Sequence, residues 1–271
     1  MIFADLGLAR RLERAEAEAG RRIVEARHRL APQIGACRVE IAGAAALFDG
    51  PASPCTQSFG LGLDGVPGAA DLDRLEAFFL ERGAPVCHEL SPLIDVAVTD
   101  ALVRRGYRPV DFTNVLYQKL PAAPHDKPAA PGLPTRRMAP GEEVLWSELS
   151  AKGWGEFPEF TDFLLNLGRV MAATEGSICL FAELDGAPVA TGKLACAGGV
   201  ALLGGASTVP AARRRGAQRA LLEARLALAA ESGCDLVMMC AHPGTDSQRN
   251  AERQGFRIAY TRTKWQLAPK R

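Results

Sequence analysis

The sequence predicts an α/β chain built as two similar halves, and three observations carry that expectation. Polar–apolar alternation, the strand period, is interleaved with stretches whose apolar residues recur at helical spacing. One segment, Pro121 to Pro134, holds five prolines and cannot enter a helix or a central strand. It reads as an extended spacer near the middle of the chain. Finally, the two sides of the spacer are self-similar. Glu81-Arg-Gly-Ala-Pro-Val-Cys-His-Glu-Leu90 can be laid on Glu231-Ser-Gly-Cys-Asp-Leu-Val-Met-Met-Cys240. Arg105-Gly106-Tyr107-Arg108 lies in the same way on Gln254-Gly255-Phe256-Arg257.

The first element is a helix over Asp5 to Leu30, with Leu8, Leu12, Ala15, Ala19, Ile23, Ala26 and Leu30 on one stripe. Glu18 with Arg22, and Glu25 with Arg29, are i,i+4 pairs in the favourable orientation. Such a helix can lie on a membrane surface, in a core or between domains, and its mixed charges favour a core or interdomain place. A second helix runs from Asp71 to Arg82, with Asp71 placed to cap it.

Beyond the spacer, Thr135 to Met138 reads as a strand, followed by helices over Gly141 to Ala151 and Glu159 to Ala173. Ser177 to Leu184 is a strand, and Asp185-Gly186 turns it into Val189 to Ala197. Gly198-Gly199 leads into a strand ending at Val209. Then come a helix over Ala217 to Glu231, a strand over Leu236 to Ala241, a helix near Ser247 to Gln254, and a final strand pair about Ile258 to Leu267.

The stretch from Ser207 to Leu222 carries the chemistry. An apolar strand meets Pro210, then Arg213-Arg214-Arg215-Gly216, then an Ala- and Leu-rich helix. Glycine lets the backbone approach a ligand, and the unpaired amides of a helix start point at an anion. Guanidinium groups add charge-assisted hydrogen bonds to phosphate. This is a diphosphate cradle, without the Gly-x-x-x-x-Gly-Lys-Ser/Thr of a P-loop or the Gly-x-Gly-x-x-Gly of a dinucleotide fold.

The same stretch resembles motif A of the GNAT acyltransferases, Gln/Arg-x-x-Gly-x-Gly/Ala before a helix. Arg213-Arg214-Arg215-Gly216-Ala217 matches, while Gln218 stands where a small residue is usual. The element order over residues 135 to 267 is similar to that of the family. The resemblance implies tandem GNAT-like domains, each a mixed, mostly antiparallel central sheet flanked by helices. Their bounds would be 1–120, the spacer 121–134, and 135–271. It further implies that acetyl-CoA is the acyl donor. Its pyrophosphate would lie on Arg214, Arg215, Gly216, Ala217, Gln218 and Arg219, and its pantetheine and thioester carbonyl on backbone groups of Ser207, Thr208 and Val209. The first half has lost its cradle, because Leu63 to Ala70 contains no arginine and Asp71 and Asp73 open the following helix. Acidic groups there suit the helix dipole and repel a pyrophosphate.

The family's usual general acid, a tyrosine four residues before the Gly-Phe, is Ala251 here, and no acid stands in Ala201 to Val209, where a glutamate base is common. Ser247 and Asn250 are candidates to contact the pantetheine or the sulfur, against helix capping for Ser247 and a solvent-facing place for Asn250. His242, with Asp246 four residues on, is a candidate base, since an imidazole titrates near neutrality. Trp154, Glu156 and Phe157 lie between the first two helices of the second half, the region that lines the acceptor pocket in the family. Aromatics with carboxylates suit a cationic amine, and a core turn with solvated glutamates is the alternative.

Composition narrows the class. The chain has 271 residues, 48% hydrophobic and 23% charged, with a net charge of +1. No global field recruits nucleic acid or an anionic membrane. Seven cysteines without a C-x-x-C pair predict reduced thiols in a cytoplasm, with no zinc site. The N-terminus has neither the apolar run of a signal peptide nor a membrane span. The expectation is an N-acetyltransferase that acetylates a primary amine of a small molecule or peptide by direct transfer in a ternary complex. A catalytically silent acyl-CoA-binding or regulatory protein is the alternative, favoured by the missing tyrosine and glutamate.

Overall fold

Helix α1, Leu6–Leu30, begins where the carboxylate of Asp5 accepts a hydrogen bond from the amide of Leu8 (2.8 Å), and its last turn carries Arg27 and Arg29, whose charges suit its negative end. Its stripe is buried at Leu8, Leu12, Ala15, Ala19 and Ala26, while Ile23 is half-buried and Leu30 exposed. Glu18 meets Arg22 at 3.0 Å as its spacing predicts. The core reading of this helix therefore holds.

The computed structural model describes residues 3–120, 133–154 and 161–269. Most of the Pro-rich spacer, together with Glu156 and Phe157, lies outside them. The chain divides into two compact units, one of Met1–Gln118 with Met238–Arg271, the other of Lys119–Val237. The sequence reading groups residues 238–267 with the second half, whereas they pack with the first 118 residues.

The first unit carries β1 (Cys37–Ile41), β2 (Ala44–Phe48), β3 (Gln57–Phe59), α2 (Ala69–Leu80), β4 (Cys87–Leu90), α3 (Val96–Arg104) and β5 (Tyr107–Lys119). After the second unit it resumes with the end of β10 (Leu236–Ala241), α7 (Asp246–Arg253) and β11 (Arg257–Leu267). Its strand order is β1-β2-β3-β4-β11-β5-β10. Pairing is antiparallel for β1/β2, β2/β3, β4/β11 and β5/β11, and parallel for β3/β4. Leu72, Leu75 and Phe79 of α2 and Val98 and Leu102 of α3 bury against this sheet. The expected final strand pair is one strand, β11. Its alternation is interrupted by two register shifts against β5, at Ile258/Tyr260 and Lys264/Trp265, and not by a turn. Helix α2 starts two residues before the expected position. Gly68 is its N-cap, and Asp71 sits at N3 with its carboxylate on the Gly68 amide (3.2 Å).

A buried charge network holds β11 to α1 and β4. Arg262, 2% exposed, reaches Glu16 at 2.6 Å, Glu13 at 3.4 Å and Glu89 at 3.0 Å, and Lys264 also meets Glu89 at 3.2 Å. Tyr260 donates its hydroxyl to Glu13 (2.8 Å).

The second unit carries β6 (Thr135–Arg137), α4 (Glu143–Lys152), α5 (Thr161–Ala172), β7 (Ser177–Leu184), β8 (Ala187–Ala197), β9 (Val200–Thr208) and α6 (Ala217–Glu231). Its strands run antiparallel in the order β9-β8-β7-β6. Trp146, Leu149, Cys179 and Phe181 form the core toward α4 and α5, and Ala217 and Leu221 of α6 pack on Leu180, Ala182 and Ala190. The sheets are mixed, mostly antiparallel and flanked by helices, as the fold class requires.

The internal repeat shows in the backbone. Each copy runs helix, glycine, strand, helix, glycine, strand, and the paired glycines share a left-handed conformation: Gly83 and Gly233 at φ 66° and 74°, Gly106 and Gly255 at 90° and 93°.

Candidate functional site

Strand β9 ends at Thr208, a short 3₁₀ turn covers Pro210–Ala212, and α6 starts at Ala217. Between them the loop takes two left-handed residues, Arg214 at φ 62° and Gly216 at φ 90°. A non-glycine residue there is strained by about 1–3 kcal/mol, so the fold holds Arg214 in place against its own preference. Such turns make successive amides converge on one point, an anion-binding concavity. Gly216 is the N-cap of α6 and has no side chain to cap the first turn, and that turn holds no acidic residue. A Cβ added at Gly216 would meet nothing within 4 Å. Arg214 and Arg215 are exposed and have no ion pair among the described residues. Open space, orphan amides and two uncommitted guanidinium groups coincide at the positive end of a 15-residue helix.

Gln218, the departure from the motif, is turned back on the strand, donating its amide to the Thr208 hydroxyl (2.7 Å). It latches the helix start to the strand end. Arg213 is committed elsewhere, to the Gly153 carbonyl at 2.9 Å. Ser207 is buried and donates its hydroxyl to the Ser150 carbonyl (2.8 Å). Gly153 lies so close to this strand that an added Cβ would fall 1.6 Å from Ser207 Oγ and 2.9 Å from the Thr208 amide. The C-terminus of α4 is thus fastened to the cradle strand. Trp154 follows directly, half exposed at 50%.

The remaining candidates lie in the first unit. Ser247 and Asn250 are exposed on α7 without a hydrogen-bond partner among the described residues. The α7 cap is Thr245, whose hydroxyl accepts from Gln248, and not Ser247. Ala251 is buried at 2%. His242 follows β10, and its Nδ1 lies 3.5 Å from Asp111 of β5. Asp246, expected near it, pairs with Arg249 instead (3.2 Å). Asp111 is the neighbour that sequence reasoning missed, 131 positions away and unmarked by any local pattern. Tyr260 is buried on Glu13, and burial raises its phenol pKa far above the usual range.

At the corresponding place in the first unit the chemistry is reversed. The start of α2 is occupied by the carboxylate of Asp71, and Asp64 in the preceding loop pairs with Arg10 (3.1 Å) and Arg14 (3.2 Å).

Comparison with known proteins agrees with this geometry. Residues 142–256, the stretch containing the cradle, match the model of the acetyltransferase (GNAT) family. Among solved structures the fold is similar to a GCN5-related N-acetyltransferase from Kribbella flavida, at 19% identity and a TM-score of 0.68, covering 97% of this chain and 96% of that one. It is also similar to a tandem GNAT protein from the clavulanic acid biosynthesis pathway, at 15% identity and a TM-score of 0.57, covering 84% and 79%. A putative GNAT-family acetyltransferase from Novosphingobium aromaticivorans matches at 16% identity and a TM-score of 0.53, covering 88% and 94%. A search of curated protein sequences finds no match. No helix among the described residues is long and apolar enough to cross a membrane.

Proposed function

We propose that this chain is an acyl-CoA-dependent N-acyltransferase that uses acetyl-CoA and acetylates a primary amine of a small molecule or peptide in a cytoplasmic setting. The observation that carries the reading is the open, uncapped start of α6, with Gly216 left-handed beneath free space and Arg214 and Arg215 uncommitted beside it. The family match over 142–256 supports the acyltransferase class.

In the proposed reaction the neutral amine attacks the thioester carbonyl and forms the C–N bond, the C–S bond breaks, the CoA thiolate leaves, and the proton released from the nitrogen passes to water. Backbone groups of Ser207, Thr208 and Val209 are the proposed holders of the pantetheine and the carbonyl oxygen, and the Val209 amide itself is spent on the Val189 carbonyl (3.0 Å). A lysine-like amine has an ordinary pKa of about 10.4, so most of it is protonated at neutrality. A thiol of ordinary pKa of about 8.5 leaves readily as an anion, which makes a dedicated acid dispensable. Ser247, Asn250 and His242 remain proposed proton-handling or sulfur-contacting groups on the strength of the resemblance, and Trp154, Glu156 and Phe157 proposed acceptor contacts. The division into domains at 1–120 and 135–271 is likewise proposed, as the extent of two ancestral copies.

The test is release of free thiol from acetyl-CoA across a panel of amines. Turnover should rise with pH as the amine loses its proton. Binding without thiol release for any amine would favour the silent acyl-CoA-binding protein. Calorimetric titration with CoA should give one site per chain, since Asp71 fills the start of α2. Two equivalent sites would show that the first copy still works.

A further inference from the structure

We propose that Arg225 is a positioning residue for the acyl group: it pins the bulge in β9 that aims the backbone of Ser207 and Thr208. The proposal rests on the acyl-CoA reading above and concerns only the second unit.

Arg225 continues the buried face of α6. Ala217, Leu221 and Arg225 recur every four residues, and the first two pack in an apolar cluster against the sheet. The third is a guanidinium, 4% exposed, with no carboxylate within ion-pair distance among the described residues. Burial lowers its pKa to about 10, which still leaves it charged at neutrality. Its Nε donates to the Leu221 carbonyl (3.0 Å) and its Nη1 to the Gly204 carbonyl (3.3 Å). It lies flat on β8, where a Cβ at Gly192 would come within 3.3 Å of its Cζ.

Those contacts converge on an irregularity. Thr191 pairs with Ser207 and Lys193 with Gly204, so Gly192 alone faces both Gly205 and Ala206. This is a β-bulge, which re-aims every group beyond it. The Gly204 carbonyl is taken by Arg225 and the Gly205 carbonyl by the Thr191 hydroxyl (3.1 Å). From the other face the Trp146 ring closes in, 2.9 Å from where a Cβ on Gly205 would be. The bulge ends immediately before Ser207, the first of the proposed carbonyl-holding residues. A lone buried cation is costly, and replacing it with an apolar group of similar size is often neutral or stabilising. Stability therefore does not explain Arg225, and its grip on the bulge does.

The experiment compares the full-length protein with Arg225→Met and Arg225→Lys. It measures calorimetric affinity for CoA and for acetyl-CoA, kcat with an accepted amine, and the melting temperature. The wild type should prefer acetyl-CoA to CoA. Arg225→Met should keep its affinity for CoA within about threefold and its melting temperature, because the cradle is untouched. It should lose the preference for acetyl-CoA and lower kcat by about 10- to 100-fold, as expected of a misplacement near 1 Å. Arg225→Lys keeps one donor for Gly204 and should recover part of both. Unchanged preference and kcat in Arg225→Met would overturn the proposal, whatever happens to its melting temperature. So would a wild type that binds CoA and acetyl-CoA equally. Should Arg225→Met fail to fold, Thr191→Val, which frees only the Gly205 carbonyl, must show the same loss of preference or the proposal falls. A wild type that binds neither ligand overturns the acyl-CoA reading itself, a result distinct from the others.

Discussion

Gly216→Glu should weaken CoA binding roughly 100-fold while the protein remains folded. The position is exposed, and a Cβ added there meets nothing within 4 Å, so the new side chain starts into open space. Its φ of 90° strains any residue other than glycine, by about 1–2 kcal/mol. A shift of a few degrees in melting temperature is the expected structural consequence. The new carboxylate, however, stands at the positive end of α6, where the pyrophosphate would lie. It satisfies the orphan amides itself and repels the ligand, and losing about 3 kcal/mol of binding energy would weaken affinity roughly 100-fold. Gly216→Ala carries the strain without the charge and should bind CoA only severalfold more weakly. Titration of the three proteins decides. Wild-type affinity in Gly216→Glu would remove the cradle from consideration.

Glu13→Gln should make the protein more stable than the wild type at pH 8.5, by an amount on the order of 3 kcal/mol, and leave it about equal near pH 5. Burial is the main cause: it raises the Glu13 pKa to about 7, with Arg262 opposing and the nearby Glu16 adding to the rise. A carboxyl whose pKa is higher folded than unfolded contributes fully below the unfolded value, about 4.5, and that contribution is lost as pH rises through about 7. Glutamine mimics the protonated acid at every pH and keeps an acceptor for Tyr260. His88 works in the opposite sense. It is buried between Ser58 (2.7 Å) and Tyr107 (3.1 Å), and desolvation lowers its pKa to about 3, so stability is lost as pH falls below about 6.5. The difference between variant and wild type at each pH isolates Glu13. Urea unfolding at pH 5, 7 and 8.5 measures it, and a difference that does not change with pH would refute the assignment.

Local signals were enough for much of the fold. Ser177–Leu184, Ala217–Glu231 and Leu236–Ala241 have the bounds their periodicity and flanking glycines imply. The turn before α6 was legible for the same reason, since Pro210, three arginines and Gly216 are contiguous. What the sequence hid is set by partners far along the chain. Arg262 and Glu13 are 249 residues apart, and nothing around either marks a buried ion network. Arg225 occupies a position in the helical pattern where an apolar residue is expected, so its burial is visible only against Gly192 and Gly204. The start of α2 was misplaced because Asp71 fits both an N-cap and N3, and the backbone of Gly68 decides between them.

The position of β11 between β4 and β5 has a consequence for biosynthesis. Thr263 aligns with Leu90 and Trp265 with His88, so the middle of the first unit is completed by residues made after the whole second unit. At about 5–20 residues per second, the roughly 150 residues after Lys119 take about 8–30 s to emerge. Throughout that interval β4 and β5 each keep an edge without its β11 partner, open to other chains, and Glu13 and Glu89 await the guanidinium of Arg262. The first unit therefore closes only after the whole second unit has been made, through contacts of very high contact order. Helix α1, made before every strand of its own unit, is among the last parts of that unit to be secured.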